Sequence, residues 1–535
     1  MSSARGQAIS RTPRLDAHVG ELAGIRDREG RLGLASVFRN KTLVAFLLIS
    51  EVWLLAGSLW MWWWTVEDAF IGFRYAQNLA RGAGLVLNKG ERVEGYTNFL
   101  WLFLLAGASK IALDPIFVSK IMGTLFNALA ILACFELCRV ASTEKGPMKG
   151  LALALAASNG LFIATSVEGL ETPLFTMLLC WELVTYLRGL RASGGKQAAW
   201  LAGSSVLSAL LMMTRPDGGL TYAMLWLHAA WRFRAKPRNT LIFTLPAILS
   251  YMPYFIWRWS YYGFFFPNTY YAKGGGTVAL YALGAAEIGK FLSLQTGGLV
   301  VAGVVGLLAL LVPCTETTVL GLAALSRLMF EFWSGGVTAG NSRFLVPAVP
   351  LVWLLVERFL ATWLGPDRLA IRSSYVQIGV CGLVLATQSL EFARFRQARE
   401  YDQAGLERGH VSLGQWLKEN SRSEAKVAVG DIGAIGFWSG LQILDLDGLA
   451  DAYIAHRPGK FGDKGDAHYV LSQRPDFVVL RVHRCEPQLA DFLPIDGKIY
   501  ADPQFQNSFE RLSCWDFDPH YHLLLFARRA HEDGP

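Results

Sequence analysis

The sequence specifies a polytopic α-helical membrane protein that carries a soluble α/β domain towards its C-terminus. Three observations say so. Only 17% of the 535 residues are charged while 53% are hydrophobic, whereas an ordinary soluble domain is about a quarter charged. The apolar residues gather in repeated runs of roughly 16–24, the length that crosses a bilayer. After residue 390 those runs stop, and short β-rich stretches alternate with helical ones. The formal charge of +7 does not call for a nucleic-acid partner, because Lys and Arg on cytoplasmic loops supply it.

Taken in order, residues 1–42 are polar and of mixed charge, which predicts a disordered cytoplasmic tail. The first apolar run is long and should stay as an anchor rather than be cleaved as a signal peptide. Candidate spans are 43–64, 98–113, 116–139, 150–166, 172–187, 198–213, 218–231, 241–259, 296–312, 318–333, 344–361 and 375–390. Arg26, Arg28, Arg31, Arg39 and Lys41 precede the first span, so the N-terminus is inside and loop 65–98 is outside. The basic loops at Arg188–Lys196, Arg232–Arg238 and Arg358–Arg372 also belong inside. Counting spans between these fixed points requires one segment before residue 166 not to cross. The run 98–113, short and interrupted by Lys110 and Asp114-Pro115, is the best choice for an interfacial or re-entrant helix. That gives a transmembrane domain 43–390 of about 11 helices, with residues 391–535 outside.

In the C-terminal region, 426–430, 442–446, 476–482 and 521–527 read as strands flanked by turns and helices. The glycine-rich run GDIGAIGFWSG at 430–440 lacks both GxGxxG spacing and a P-loop lysine, so it does not read as a phosphate loop. Of the seven cysteines, Cys134, Cys138, Cys180, Cys314 and Cys381 lie in or beside apolar runs and read as small buried hydrophobes. Cys485 and Cys514 fall in the external region, where a disulfide is open to them. No Cys/His spacing suggests a structural zinc site.

With that orientation, external loops collect the residues that carry chemistry. Glu67 and Asp68 follow a tryptophan-rich membrane exit, Trp60-Met61-Trp62-Trp63-Trp64. Adjacent carboxylates there suit base chemistry or a divalent cation, and equally suit ordinary interfacial charge. Arg215 and Arg343 at external span ends suit a phosphate or a lipid headgroup. Asp217, two residues from Arg215, is a ready ion-pair partner for it. Glu168 and Glu171 end an apolar run, where a carboxylate is costly unless it faces a wet cavity. Tyr270, Tyr271 and Trp259 fit sugar stacking or an aromatic belt, and Lys273 fits phosphate or headgroups.

These residues carry a resemblance. The run EDAFIGFRYAQNLARGAGLVLNKGERVEGYTNFLW from Glu67 to Trp101 resembles the first external loop of polyprenyl-phosphate-sugar-dependent glycosyltransferases of the GT-C class. The group it is similar to is that of the mycobacterial terminal arabinofuranosyltransferase and its bacterial relatives. GLETPLF at 169–175, TRPDG at 214–218, PNTYYAK at 267–273, RFLVPAVPL at 343–351 and GDIGAIGFWSG…DLDGLAD at 430–451 follow in order. The likeness covers roughly residues 45–530.

The resemblance implies a GT-C-like fold and a reaction on the non-cytoplasmic face of a bacterial plasma membrane. There a sugar, arabinofuranose foremost, would pass with inversion from a polyprenyl monophosphate to an acceptor hydroxyl on a cell-envelope glycan or surface protein. It makes Asp68 the base, with Glu67 as the other choice. Arg74, Glu94, Tyr96, Asn98, Glu171, Arg215, Asp217, Asn268, Tyr271, Lys273 and Arg343 become candidate substrate-binding residues. A divalent cation, Mg or Mn, stays open, with Glu67, Asp68 and Glu171 as its ligands. A lipid-linked glycan transporter or flippase is the alternative. The absence of a visible internal repeat and the gathering of charge at one face weigh against it.

Overall fold

The computed structural model describes residues 41–142, 148–274, 277–292, 315–336, 342–363 and 372–529. The expected tail up to residue 40 and the expected span at 296–312 lie outside these residues. Four described helices are long and apolar enough to cross a membrane: Lys41–Trp60, Pro115–Ala141, Gly194–Thr214 and Pro237–Tyr262. Their outer surfaces stay apolar; Leu48, Val52, Leu249 and Ile256 are all more than half exposed, as residues bathed in lipid would be. Thr172–Arg191, Gly218–Arg232, Thr315–Ser334 and Ala348–Trp363 complete the bundle.

Two expected spans take other forms. The stretch 150–166 breaks into Leu151–Ala157 and Gly160–Thr165, because the Asn159 side chain accepts from the Phe162 amide and starts a new helix. The helix Phe99–Lys110 has 12 residues, about 18 Å at the usual rise and short of the ~30 Å hydrocarbon core. The last run becomes a 35-residue helix, Arg372–Leu406, that carries the chain from the bundle into the C-terminal region.

That region folds around one sheet in the order β2-β1-β3-β5-β4. β1 (Lys426–Val429), β2 (Gln442–Asp445) and β3 (Phe477–Val482) run parallel; β5 (Tyr521–Arg528) is antiparallel to β3, and β4 (Phe509–Asp518) to β5. Successive strand residues face opposite sides, and both sides here are buried. Val427, Val429, Ile443, Val479, Leu523 and Leu525 join the core shared with the bundle. Ala428, Leu444, Val478, Leu480, Leu524 and Phe526 form a second core under the sheet's own helices. The shared core seats the sheet on the bundle. β4 has no counterpart among the runs read from sequence: its first half is mostly exposed and polar, as befits an edge strand. Cys485 and Cys514 are joined as a disulfide.

Candidate active site

The helix Glu67–Ala80 organises the site. At 3.6 residues per turn, Asp68, Ile71 and Gly72 share one face, while Glu67, Phe70 and Arg74 share another. The first face lines a cavity of ≈ 420 Å³. The second docks the C-terminal sheet. Phe70 and Phe73 pack edge-on against Phe437. Arg74 donates to the carbonyls of Leu87 (2.8 Å), Gly436 (2.6 Å) and Leu441 (2.5 Å). Asn88 exchanges two bonds with the backbone of Ile443, its Nδ2 donating at 2.7 Å and its Oδ1 accepting at 2.9 Å. The amide thus occupies the free edge of β2.

Glu67 is committed to the same contact. Its Oε1 accepts from the amides of Gly433 (2.7 Å) and Ala434 (3.0 Å) at the start of the helix Ala434–Ser439. Gly433 lies so close to the Glu67 carboxylate that a Cβ there would collide with it. The glycine-rich run therefore does receive an anion, but one supplied by the chain itself. Burial, with Asp431 and Asp68 nearby, pushes the Glu67 carboxyl up to about 7.

Asp68, by contrast, is 38% exposed and faces the cavity 3.5 Å from an Arg343 guanidinium nitrogen. Arg343 would be lowered by burial, but the carboxylates of Asp68, Glu171 and Glu168 outweigh that and raise it. Lys273 lines the same cavity; burial pulls its amine down to about 8 against the upward pull of Asp68. Arg215 is held by Asp217 at 3.0 and 2.9 Å, and Asn98 donates to Glu171 at 2.9 Å. Tyr96 shares a 3.0 Å hydroxyl contact with Tyr262. All of these residues line the cavity, except that Glu168 and Tyr262 stand behind. Of the guanidinium nitrogens on residues lining this cavity, two buried ones lack a protein hydrogen-bond partner, Arg215 Nη1 and Arg343 Nε. One edge of the cavity is a lip of Phe266, Tyr270 and Trp333, each more than a third exposed.

Other residues singled out from sequence stand behind the wall. Glu67 and Arg74 hold the C-terminal sheet, as described. Glu94 forms a buried pair with Arg258 (2.6–2.9 Å), which also donates to the Phe265 carbonyl and so fixes the approach to Lys273. Asn268 donates to the carbonyls of Gly448 and Leu449 at 2.9 Å. Tyr271 stacks on His456 at 4.3 Å. Sequence reasoning missed Arg327, fully buried on Thr315–Ser334, which bonds the Asp217 carboxylate, its carbonyl and Thr221. An arginine in mid-span is costly without a partner, and that was the available signal. Phe330, Trp333 and Phe344 read only as apolar.

The three carboxylates suggested for a divalent cation do not converge. Glu67 turns to the sheet, and Arg343 stands against Asp68. Among the described residues the metal-type side chains that do converge are Cys485, Cys514, Asp516 and His522, where the cysteines are joined to each other. The cavity sets two guanidinium groups and one amine among its carboxylates rather than presenting a three-carboxylate metal centre.

If Glu67 is a cap rather than a base, Glu67→Gln keeps an acceptor for both amides. Its activity should stay within about tenfold of the parent. The folded carboxyl at about 7 lies above its ordinary 4.5. Its contribution to stability is thus full below about 4.5 and is lost as pH rises through 7. Unfolding midpoints of parent and variant, followed from pH 4.5 to 8, should shift against the parent; a constant difference would remove this assignment.

Against solved structures, the chain resembles ArnT from Cupriavidus metallidurans bound to undecaprenyl phosphate. The TM-score is 0.60 at 13% identity, over 93% of this chain and 100% of that one. The mycobacterial arabinofuranosyltransferase AftD gives a TM-score of 0.50 at 13% identity, over 92% of this chain and 40% of that one. The fold is that of the GT-C membrane glycosyltransferases. Among curated proteins, homologues are the terminal β-(1→2)-arabinofuranosyltransferases of Mycobacterium tuberculosis and Corynebacterium glutamicum. The first is 30% identical over 254 residues, 43% of this chain and 38% of that protein. The second is 30% identical over 268 residues, 44% and 37% respectively. The chain thus matches less than two fifths of these relatives' length. Residues 396–528 match a family described as a domain of unknown function, DUF8728.

Proposed function

We propose that this protein is an inverting glycosyltransferase that moves a sugar, arabinofuranose foremost, from a polyprenyl monophosphate to an acceptor hydroxyl. The acceptor is a cell-envelope glycan or surface protein, on the non-cytoplasmic side of a bacterial plasma membrane. One observation carries this reading: a single accessible carboxylate, Asp68, shares a cavity with Arg343, Arg215 and Lys273, and two of the arginine nitrogens there lack protein partners. Such nitrogens are made for phosphate oxygens. The exposed aromatic lip gives a polyprenyl chain an apolar way in.

In this reading the acceptor oxygen attacks the anomeric carbon and its proton passes to Asp68. The bond from that carbon to the phosphate oxygen breaks, and the charge left on the phosphate falls among fixed cations. The lipid stays in the membrane and the headgroup at the interface, so both reactants are positioned before reaction. The amines supply the positive charge, and no step is assigned to a metal.

The test is transfer by the purified full-length protein. Polyprenyl-phosphoryl arabinofuranose and polyprenyl-phosphoryl mannose are offered in turn with membrane extract, and free polyprenyl phosphate is followed with and without EDTA. Release from the arabinofuranose donor, unchanged by EDTA, is expected. Release from mannose alone would change the sugar, and no release from either would return the transporter reading.

A further inference from the structure

A second cavity, ≈ 230 Å³, lies between the first external loop and the C-terminal sheet. Its walls come from Glu91 and Val93 of the loop and from Gln442, Asp451, Tyr453 and Tyr469 of the sheet region. It adjoins the first. Val93 lines one cavity and Gly95 the other; Asp451 lines one and Leu449 the other. Two residues of extended chain span at most about 7 Å, so the two cavities are bounded by neighbouring stretches of the same wall.

The linings of the two cavities differ. Arg215, Arg343 and Lys273 stand among Asp68, Glu171 and Asp217 in the first; Glu91, Asp451 and Lys426 line the second. The Lys426 ammonium at the second is already donating to the Gln473 carbonyl at 3.1 Å. With two carboxylates to one ammonium, this lining disfavours a phosphate. What remains is suited to a neutral polyol: carboxylate acceptors, side-chain amides and an aromatic face. Gln442 donates to Glu91 at 2.7 Å, and the Tyr469 hydroxyl to Asp451 at 2.9 Å. Tyr453 stacks on Tyr469 with centroids 4.2 Å apart while remaining 48% exposed. Amphipathic rings of this kind pack on one side and stay wet on the other.

From this we infer that the second cavity is the acceptor subsite: it holds a neutral sugar residue of the acceptor glycan, one or a few residues back from the hydroxyl presented to Asp68. The inference rests on the glycosyltransferase reading for its role and on the cavity's own chemistry for its ligand.

Two variants of the full-length protein test it, Tyr453→Ala and Gln442→Ala, the second guarding against a folding defect in the first. Each should raise the acceptor KM about tenfold, some 1.4 kcal/mol, with the donor KM unmoved. Separately, neutral arabino- and manno-tetrasaccharides should show saturation transfer with the parent protein that both variants lose. Unchanged acceptor KM and undiminished saturation transfer in both variants overturn the subsite. If the parent releases no polyprenyl phosphate from any donor yet binds a tetrasaccharide in a Tyr453-dependent way, the glycan site stands and the transferase reading falls.

Discussion

Asp68→Asn is expected to slow release of polyprenyl phosphate at saturating donor by about 10²–10⁴-fold, the range over which a positioned general base acts. The substitution keeps the shape of the side chain and its place on the helix Glu67–Ala80. It removes only the capacity to take a proton and one negative charge beside Arg343. Asp68 is neither buried in the core nor part of the sheet contact, so folding should survive; an unfolding midpoint within a few degrees of the parent checks this. Donor affinity should hold or improve, since Arg343 and Lys273 would each lose a competitor for the phosphate. A release rate within tenfold of the parent would mean that the proton goes elsewhere. Glu171, which lines the same cavity, would be the next residue to test.

The contrast between Asp68 and Glu67 shows where sequence reading reaches and where it stops. Both are acids at one membrane exit, and composition alone cannot separate them. Adjacent residues on a helix are about 100° apart, so one of them can turn into a cavity while the other turns away from it. Which of them faces it depends on what packs on the other side, and the partner is a loop some 365 residues away, Gly433-Ala434. The motif residues Tyr96, Asn98, Glu171, Arg215, Asp217, Lys273 and Arg343 were legible through runs that resemble a known family's motifs, with Glu171, Arg215 and Arg343 also near the ends of apolar runs. The structure gathers them in one cavity. Arg74, Glu94 and Asn268 looked similar in sequence, yet each is spent on joining elements: sheet to loop, loop to helix, and loop to sheet. Arg327 was hidden because its partner, Asp217, belongs to another helix junction, and only the crossing of the two reveals the pair.

Arg343→Ala and Arg343→Lys should part company. Arg343 faces Asp68, with Glu168 and Glu171 close enough to raise it, and its Nε has no protein partner. Alanine leaves those carboxylates without their shared cation. Glu168, which burial already pushes up to about 7 and which Arg343 holds down, would then take up a proton more readily. Losing a hydrogen bond to a charged group costs about 1.5–3 kcal/mol, which corresponds to a loss of about 10- to 150-fold in kcat/KM. Lysine restores the charge but not the planar fork that meets two phosphate oxygens, so about tenfold should remain lost. The decisive measurement is inhibition by free polyprenyl phosphate. Its inhibition constant should rise steeply for Arg343→Ala and modestly for Arg343→Lys, while the acceptor KM stays put. If the constant moves by less than twofold for alanine, the phosphate is not held by Arg343. The remaining unpartnered nitrogen, Arg215 Nη1, would then have to take it with Lys273.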